Sequence, residues 1–440
     1  GVLLSTLFRT PHLLKGWNEM KKYSLPALLL CLSLLLSGCY AAQHTKENST
    51  STQVTQAPPS STETEVTKSV PQVKGVYYAD NLRGALLGIP SVFPMEDGAY
   101  TDGFYYYDVA QQTTIFPCSL PGCKHTDTSC PARVENMSMV LAHGDSIYAI
   151  CDVLGKKSSL VRYVPQAGER TVLLSLEPRS PDGTLYVGNS LYSSNKIFLD
   201  VTETAETTTS GSLYYYDLAT DELVLLFAGD ELTYAEIECA YGDRAIVSWA
   251  HYKEAPLEFE EYQLEHPDAD EDEYYKYLNK FSETNRESEL RCYNLNTLEY
   301  TDFCPALQNG TDLTPNLYLS SNGCGYGEYI LYALGEDVCR YNMRTDTFEV
   351  LVHAPSAINA MMVDAYLLLI LKEDGVSTYR IYDLDTGEYW DLENENDPRG
   401  MAFGIHKQTK TAFFGFYNGK GAMISKADFF AEAYENVVFY

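Results

Sequence analysis

Three cysteines and one histidine lie close together in the first third of the chain, and these residue types could bind a metal ion. They follow the pattern Cys-x4-Cys-x-His-x4-Cys and are Cys118, Cys123, His125 and Cys130. Thiolates and imidazole are the ligands that tetrahedral Zn²⁺ prefers in proteins. Because four protein ligands leave no open position for a substrate, zinc bound here would be structural and not catalytic.

The same residues allow two other interpretations. Their spacing departs from the zinc-knuckle pattern, Cys-x2-Cys-x4-His-x4-Cys, so the pattern alone does not establish a metal. A disulfide between two of the three cysteines would leave the third thiol unpaired and His125 without a role, and an exported protein permits such a bond. Three free thiols are the remaining alternative.

A further cysteine, Cys39, ends a segment that has the order of a secretory signal. Two lysines precede an apolar run over residues 25–36, and small residues follow it up to Gly38 and Cys39. This run is shorter than the roughly 20 apolar residues that a membrane-spanning helix needs, so a cleaved signal is favoured. Met20 is the expected start, which would place residues 1–19 upstream of the true reading frame.

The residues Leu-Ser-Gly-Cys that end at Cys39 resemble the bacterial lipobox. The resemblance implies cleavage between Gly38 and Cys39, acylation of Cys39, and anchoring at the extracytoplasmic face of the cell membrane. Two acyl chains hold a protein stably on a bilayer, whereas one holds it only marginally. An ordinary secretory signal that happens to contain a cysteine is the alternative.

The charge of the chain argues against nucleic acid as a partner. The formal net charge is −30, and binding to nucleic acid depends on lysine and arginine that neutralise phosphates. The same charge would not draw the protein to an anionic membrane surface, so the lipid would have to supply the attachment.

After the signal, the composition predicts a tether followed by one folded domain. Residues 39–73 are rich in Ser, Thr, Gln and Pro, and they contain too little apolar surface to offset the entropy of ordering. We therefore expect a flexible spacer there. From residue 74 to residue 440 tyrosine is abundant, and short apolar runs alternate with turns, as in all-β folds.

A repeated unit within 74–440 predicts a β-propeller. The clearest copy runs from Leu213 to Leu226. It consists of a strand that ends in an aromatic residue and an Asp, then a short turn, and then a second strand. The position of the Asp recurs at Asp108, Val164, Asp217, Asn294, Asn342, Asp383 and Ser425. Four strands per unit at a spacing of about 40–50 residues are typical of propeller blades that stack in a ring. Seven copies favour seven blades, although six or eight are compatible, and the Asp is expected to begin its turn through its own side chain.

The longest gap between copies contains an insertion at about 254–288. Its second half has helical periodicity, with Asp268 as the expected N-cap and with Tyr274, Leu278 and Phe281 on one face. We expect a helix that lies over a blade edge or over the channel mouth.

The remaining cysteines of the domain fall mostly within strand-like runs, and we expect them to be small buried apolar residues. A disulfide between Cys292 and Cys304 is the exception that the sequence leaves open. The set is Cys151, Cys239, Cys292, Cys304, Cys324 and Cys339.

Taken together, the lipobox, the tether and the repeats resemble surface lipoproteins of Gram-positive anaerobes that carry propellers of the Tol-associated or low-density-lipoprotein-receptor type. By the same resemblance, similar Cys–His loops occur in those lipoproteins without an assigned role. The repeat is typical of a fold and not of one function.

Three functions remain open from the sequence. The first is a non-catalytic lipoprotein whose propeller binds an unidentified ligand or a protein partner. The second is an extracytoplasmic enzyme, such as a lyase or hydrolase, and paired carboxylates in the channel would favour it. The third is an envelope assembly or scaffold factor with a flat apolar patch. The common hydrolase motifs G-x-S-x-G and H-E-x-x-H are absent from the sequence.

Overall fold

The strands form seven antiparallel sheets, each built from one continuous stretch of chain apart from one added strand. This arrangement is a seven-bladed β-propeller, and it confirms the predicted all-β fold and the predicted number of blades. The computed structural model describes residues 71–83, 92–101, 104–125, 129–134, 136–153, 156–178, 182–205, 208–257, 259–303, 316–317, 324–373, 376–392 and 403–439.

Each blade runs from an inner strand at the central channel to an outer strand at the rim. Blade 1 contains β2 (Phe93–Pro94), β3 (Gly98–Thr101), β4 (Tyr105–Asp108) and β5 (Thr113–Ile115). Blade 2 contains β6 (Met137–His143), β7 (Ser146–Val153), β8 (Lys157–Val164) and β9 (Glu169–Leu176). Blade 3 contains β10 (Thr184–Ser193), β11 (Lys196–Ala205), β12 (Thr208–Asp217) and β13 (Glu222–Ala228), and β1 (Leu82–Arg83) is added beside β10.

The other four blades follow in the same order. Blade 4 contains β14 (Thr233–Tyr241), β15 (Arg244–Tyr252), β16 (Arg286–Asn294) and β17 (Tyr300–Asp302). Blade 5 contains β18 (Asn316–Leu317), β19 (Gly325–Tyr326), β20 (Tyr329–Leu334), β21 (Asp337–Asn342) and β22 (Thr347–His353). Blade 6 contains β23 (Ala357–Val363), β24 (Tyr366–Glu373), β25 (Val376–Tyr382) and β26 (Tyr389–Leu392). Blade 7 contains β27 (Phe403–Gln408), β28 (Ala412–Tyr417), β29 (Lys420–Ser425) and β30 (Val438–Phe439).

The core consists of side chains packed between the faces of neighbouring blades. Strand β24 shows the effect in its sequence, because Leu367, Leu368 and Leu369 are consecutive and all fully buried. A strand covered on both faces does not alternate between apolar and polar residues. Blades 1 and 7 meet in the same way, where Ala99 packs with Phe414 and Met423. The ring is therefore closed by packing between its first and last blades.

The repeated Asp or Asn begins the turn between the third and fourth strands, as predicted. The Oδ1 of Asp217 accepts a hydrogen bond from the backbone N–H of Ala219 at 2.8 Å, and Asn342 does the same for Arg344 at 2.9 Å. Asp108, Asn294 and Asp383 make equivalent bonds. Blade 7 departs from the pattern, since Ser425 caps a short helix, α3 (Lys426–Phe430), by accepting from the N–H of Asp428.

Each of these turns places the fourth residue after the repeated position in the left-handed region. Those residues are Gln112, Gly168, Asp221, Leu298, Asp346 and Gly387. A side chain there destabilises the backbone, and only glycine adopts the conformation freely. Leu298, at φ +60°, is the least suited of the six because its apolar side chain is 41% exposed.

Replacing Leu298 with glycine is therefore expected to stabilise the protein. The gain should be about 0.5–1 kcal/mol in the free energy of unfolding, because relief of the backbone strain exceeds the added entropy of the unfolded chain. Denaturant unfolding of Leu298→Gly would measure it. Leu298→Ala is the matched control and should show no gain, since alanine keeps the cost of a positive φ. Equal stability changes in the two variants would contradict this account.

The chain before blade 1 lies across one mouth of the central channel, and of its described residues only β1 pairs with an inner strand. The Oδ1 of Asp364 in blade 6 accepts from the N–H of Val76 at 2.6 Å, and Lys426 in blade 7 donates to the carbonyl of Val76 at 2.7 Å. Further along, the N–H of Ser194 in blade 3 donates to Asp80 at 2.6 Å. Contacts with blades 1, 4 and 5 are Tyr77 to Pro94, Ala240 to Asn81, and Asn81 to Gly327. We call residues 72–83 the channel segment.

Strand connections define two faces of the ring. The turn face carries the turns between first and second strands, including those at Ser194 and Asp364, and the loop face carries the connections between blades. Strand β1 is antiparallel to β10, so the channel segment rises from the turn face toward the loop face. The sequence assigns Gln72 to the tether, but in the structure this residue contacts blade 6. The carbonyl of Gln72 accepts a hydrogen bond from the hydroxyl of Tyr366 at 2.7 Å. The chain before the domain therefore reaches the ring at its turn face.

The insertion lies on the loop face and contains two helices, α1 (Phe259–Glu265) and α2 (Glu271–Asn285). The predicted N-cap Asp268 is wrong, because Asp270 has the extended backbone of a cap and its Oδ1 accepts from the N–H of Glu273 at 2.9 Å. The first half of the insertion is also helical, which the sequence did not predict. The ring of Phe281 lies 6.1 Å from that of Tyr252, so the insertion packs on the end of blade 4.

Candidate metal centre

The Cys–His loop connects β5 of blade 1 to β6 of blade 2 and packs against the end of β8 and the turn that follows it. The structure brings all four predicted residues together, and their ligand atoms lie within 4.8 Å of one another. The Sγ of Cys130 is 3.5 Å from Nδ1 of His125. Cys130 is buried, and the other three residues are half-buried. Among the described residues, this is the one group of three or more such side chains that could hold a metal ion.

Bonds to blade 2 hold the first part of the loop in place. The hydroxyl of Tyr163 donates to the carbonyl of Pro117 at 2.7 Å, and the hydroxyl of Ser119 donates to the carbonyl of Pro165 at 2.6 Å. Tyr163 is fully buried in β8. The Cys118 end of the loop is thus fixed to a rigid strand.

The second part of the loop is held by Arg133 and by two unusual backbone conformations. The guanidinium of Arg133 donates a hydrogen bond to the carbonyl of His125 at 3.2 Å, and its backbone N–H donates to the carbonyl of Cys130 at 3.0 Å. Gly122 and His125 both have positive φ angles, +74° and +55°. These reversals fold the short chain back on itself, so that four residues within a stretch of 13 positions share one centre.

Crowding of the thiols changes their electrostatics. Burial and the neighbouring thiols of Cys123 and Cys118 together raise the pKa of Cys130 to about 11. Burial and the same three thiols raise the pKa of Tyr163 to about 12. Without a cation the thiol of Cys130 remains protonated, whereas a bound divalent metal would deprotonate it and compensate its charge.

The spacing of the four ligand atoms is compatible with a bound metal. Zinc–sulfur bonds of about 2.3 Å in a tetrahedron separate two ligand sulfurs by about 3.8 Å, which falls within the observed limit. A disulfide would use two sulfurs and would leave unexplained why the third sulfur and the imidazole converge on the same point. The three cysteines are thiols in the structure.

The other cysteines behave as the sequence predicts. Cys239, Cys292, Cys324 and Cys339 are buried in the core and Cys151 is half-buried. Cys304 lies outside the described residues, so its pairing with Cys292 stays a prediction. Gly38, Cys39 and the tether up to residue 70 also lie outside the described residues.

A second polar group, which the sequence analysis missed, lies beside the channel between blades 3 and 4. Asp200 is buried, its Oδ1 accepts from the N–H of Ile237 at 3.4 Å, and burial raises its pKa well above the usual range. Burial and the charge of Glu238 raise the pKa of Glu236 to about 7. The Nη2 of Arg83 donates to the carbonyl of Glu238 at 2.6 Å. The signal in the sequence was the pair Glu236 and Glu238 within an otherwise apolar inner strand.

No helix in the described part of the chain is long and apolar enough to cross a bilayer.

Comparisons with known proteins concern the fold. No protein-family profile matches the sequence, and no curated protein matches it either. An oligogalacturonate lyase in complex with manganese has a TM-score of 0.42 at 12% identity, over 79% of this chain and 88% of that one. TolB from Acinetobacter baumannii has a TM-score of 0.31 at 12% identity, over 76% of this chain and 75% of that one. Acylaminoacyl peptidase from Pyrococcus horikoshii has a TM-score of 0.38 at 10% identity, over 67% of this chain and 44% of that one. Similarity at this level carries no argument about function.

Proposed function

We propose that this protein is a lipoprotein anchored through Cys39 at the extracytoplasmic face of the cell membrane, with a propeller that binds a ligand or a protein partner without catalysing a reaction. The observation that carries the proposal is the path of the channel segment. The chain that leads back to Cys39 meets the ring at the turn face, with Gln72 bound to blade 6. A lipid anchor would therefore direct the turn face toward the membrane and the loop face away from it.

The loop face has features that suit a binding surface. It carries the two helices of the insertion. The helices expose many carboxylates and few cations, and Leu264 of α1 is 83% exposed. Loops on a rigid ring are a common place for recognition. A partner would thus meet this surface at a distance from the bilayer that the predicted tether sets.

Anchoring is tested by replacing Cys39. Cys39→Ala is expected to abolish labelling by an alkynyl palmitate analogue and to move the protein from the detergent phase to the aqueous phase, because the attachment consists of acyl chains. Cys31→Ala, in the apolar run of the signal, is the matched control and should retain both. A Cys39→Ala protein that is still labelled and still partitions with detergent would refute the lipid anchor.

An enzyme is the second candidate, and the observation that favours it is the pair of carboxylates formed by buried Asp200 and half-buried Glu236. Carboxyl groups whose surroundings raise their pKa to different extents can act as acid and base. Paired carboxylates in the channel are the feature expected of an enzyme with this fold. Turnover of a substrate by the purified protein would support this function over simple binding.

A further inference from the structure

We propose that the central channel binds a small oxyanion, such as a carboxylate or a phosphate group, between Lys407, Arg83 and Tyr326. This site lies within the ring, away from the Cys–His loop. It does not depend on the lipid anchor or on the proposed role of the loop face.

A cavity of about 60 Å³ separates the channel segment from the inner strands of blades 5, 6 and 7. Its lining includes Arg83 from the channel segment, Tyr326 from blade 5, Met361 and Met362 from blade 6, and Lys407 from blade 7. Each water needs about 10–15 Å³ of such volume, so the cavity holds about four waters or one compact group of similar size. A carboxylate or phosphate group fits, whereas a complete sugar ring does not.

No carboxylate among the described residues forms an ion pair with the amino group of Lys407. Its Nζ donates to the carbonyl of Arg83 at 3.0 Å. Burial and the adjacent guanidinium of Arg83 lower the pKa of Lys407 to about 7, and no carboxylate acts in the opposite direction. Glu238 neutralises Arg83 through a contact of 3.4 Å, which leaves the charge of Lys407 unbalanced. An anion in the cavity would supply the missing charge.

The cavity also presents hydrogen-bond donors that have no acceptor. The Nε of Arg83 and the hydroxyl of Tyr326 are buried and make no hydrogen bond with the described residues. The guanidinium of Arg340 lies near Tyr326, but a guanidinium only donates and so cannot accept from the hydroxyl. An ammonium group has three donors, and Lys407 uses one of them on Arg83.

Three side-chain oxygens of the lining already accept hydrogen bonds. The side-chain oxygen of Asn81 accepts from the N–H of Ala240, and that of Gln408 accepts from the N–H of Asp364. The Oδ1 of Asp80 accepts from the N–H of Ser194. A cavity with surplus donors, occupied acceptors and an unbalanced ammonium group is complementary to an oxyanion and not to a cation.

The proposal is tested by calorimetry and thermal unfolding of the purified protein. The anions compared are formate, acetate, phosphate and sulfate, with chloride as the control at constant ionic strength. We expect saturable binding of at least one oxyanion and a matching rise in the melting temperature. Preference for formate and acetate over phosphate would identify a carboxylate site, and the reverse would identify a phosphate site. An effect equal to that of chloride for every anion would overturn the proposal and indicate that waters alone fill the cavity.

Variants assign the binding to this cavity. Lys407→Met should abolish saturable binding, whereas Lys372→Met, which removes an exposed lysine from β24, should leave it unchanged. Tyr326→Phe removes only the hydroxyl and should weaken binding several-fold, which keeps the test decisive if Lys407→Met fails to fold. Acetate affinity should also fall as pH rises above 7, because the neutral amine loses its attraction for the anion. Unchanged affinity in both Lys407→Met and Tyr326→Phe would place the anion elsewhere and refute the site.

Discussion

Removal of zinc from the Cys–His loop is expected to destabilise the protein by several kcal/mol. A metal that binds only the folded state adds about 4 kcal/mol when its free concentration is 1,000 times its Kd. The ligand atoms are already within 4.8 Å of one another, so little reorganisation opposes binding. Elemental analysis of protein purified under reducing conditions should give one zinc per chain, and a chelator should lower the melting temperature.

The loop offers variants that separate the metal from the alternatives. Cys118→Ser and His125→Ala should each lose the zinc and the stability that depends on it, while Cys151→Ser, outside the loop, should keep both. Zinc affinity should fall as the pH is lowered, because the metal must displace the protons of the thiols, and Cys130 without metal has a pKa of about 11. A metal-free protein with a mass two hydrogens lower than that of the reduced chain would show a disulfide and would contradict the metal.

Loss of the Asp364 carboxylate is expected to have an effect of similar size. This side chain is fully buried, and it accepts from the backbone N–H groups of Lys74 at 2.5 Å, Gly75 at 3.1 Å and Val76 at 2.6 Å. It also pairs with the fully buried ammonium of Lys426 at 3.2 Å. Asp364→Ala would leave that ammonium without its counter-ion and the three N–H groups without an acceptor. Breaking a buried ion pair costs about 3–5 kcal/mol.

Two measurements identify this effect and its location. Asp364→Ala should unfold at a lower denaturant concentration and should expose the channel segment to proteolysis near Val76 before the blades are cut. Asp385→Ala is the control, because Asp385 pairs with the same Lys74 at 3.0 Å but is 83% exposed. Pairs of that kind contribute about 0–1 kcal/mol. Similar stability of the two variants would show that the buried pair does not hold the channel segment.

The sequence predicted the ring because its signal is local and repeated. Five of the seven copies show an aromatic residue followed by Asp or Asn, and the side chain of that Asp or Asn accepts a hydrogen bond from its own turn, as Asp217 does from Ala219. The Cys–His group was predictable for the same reason, since its four residues lie in one short loop. The N-cap of α2 could not be assigned as easily, because Asp268 and Asp270 are both capable of capping and only the path of the turn selects Asp270.

The channel was beyond sequence analysis because its contacts join distant residues. Nothing in the sequence links Val76 to Lys426, or Arg83 to Glu238 and Lys407. Gln72 also looked like part of a polar tether, and only the bond from Tyr366 shows that it belongs to the folded domain. Such groups meet only when seven blades surround one axis.

The path of the channel segment has a mechanical consequence. If the N-terminus is fixed to a surface, a force on the domain is transmitted to the hub of the ring and not to its rim. The load is then shared among hydrogen bonds to Asp364, Lys426, Ser194, Ala240 and Gly327, which lie on five different blades. A force along the axis of the ring acts on these bonds together, so no single blade should unfold before the others.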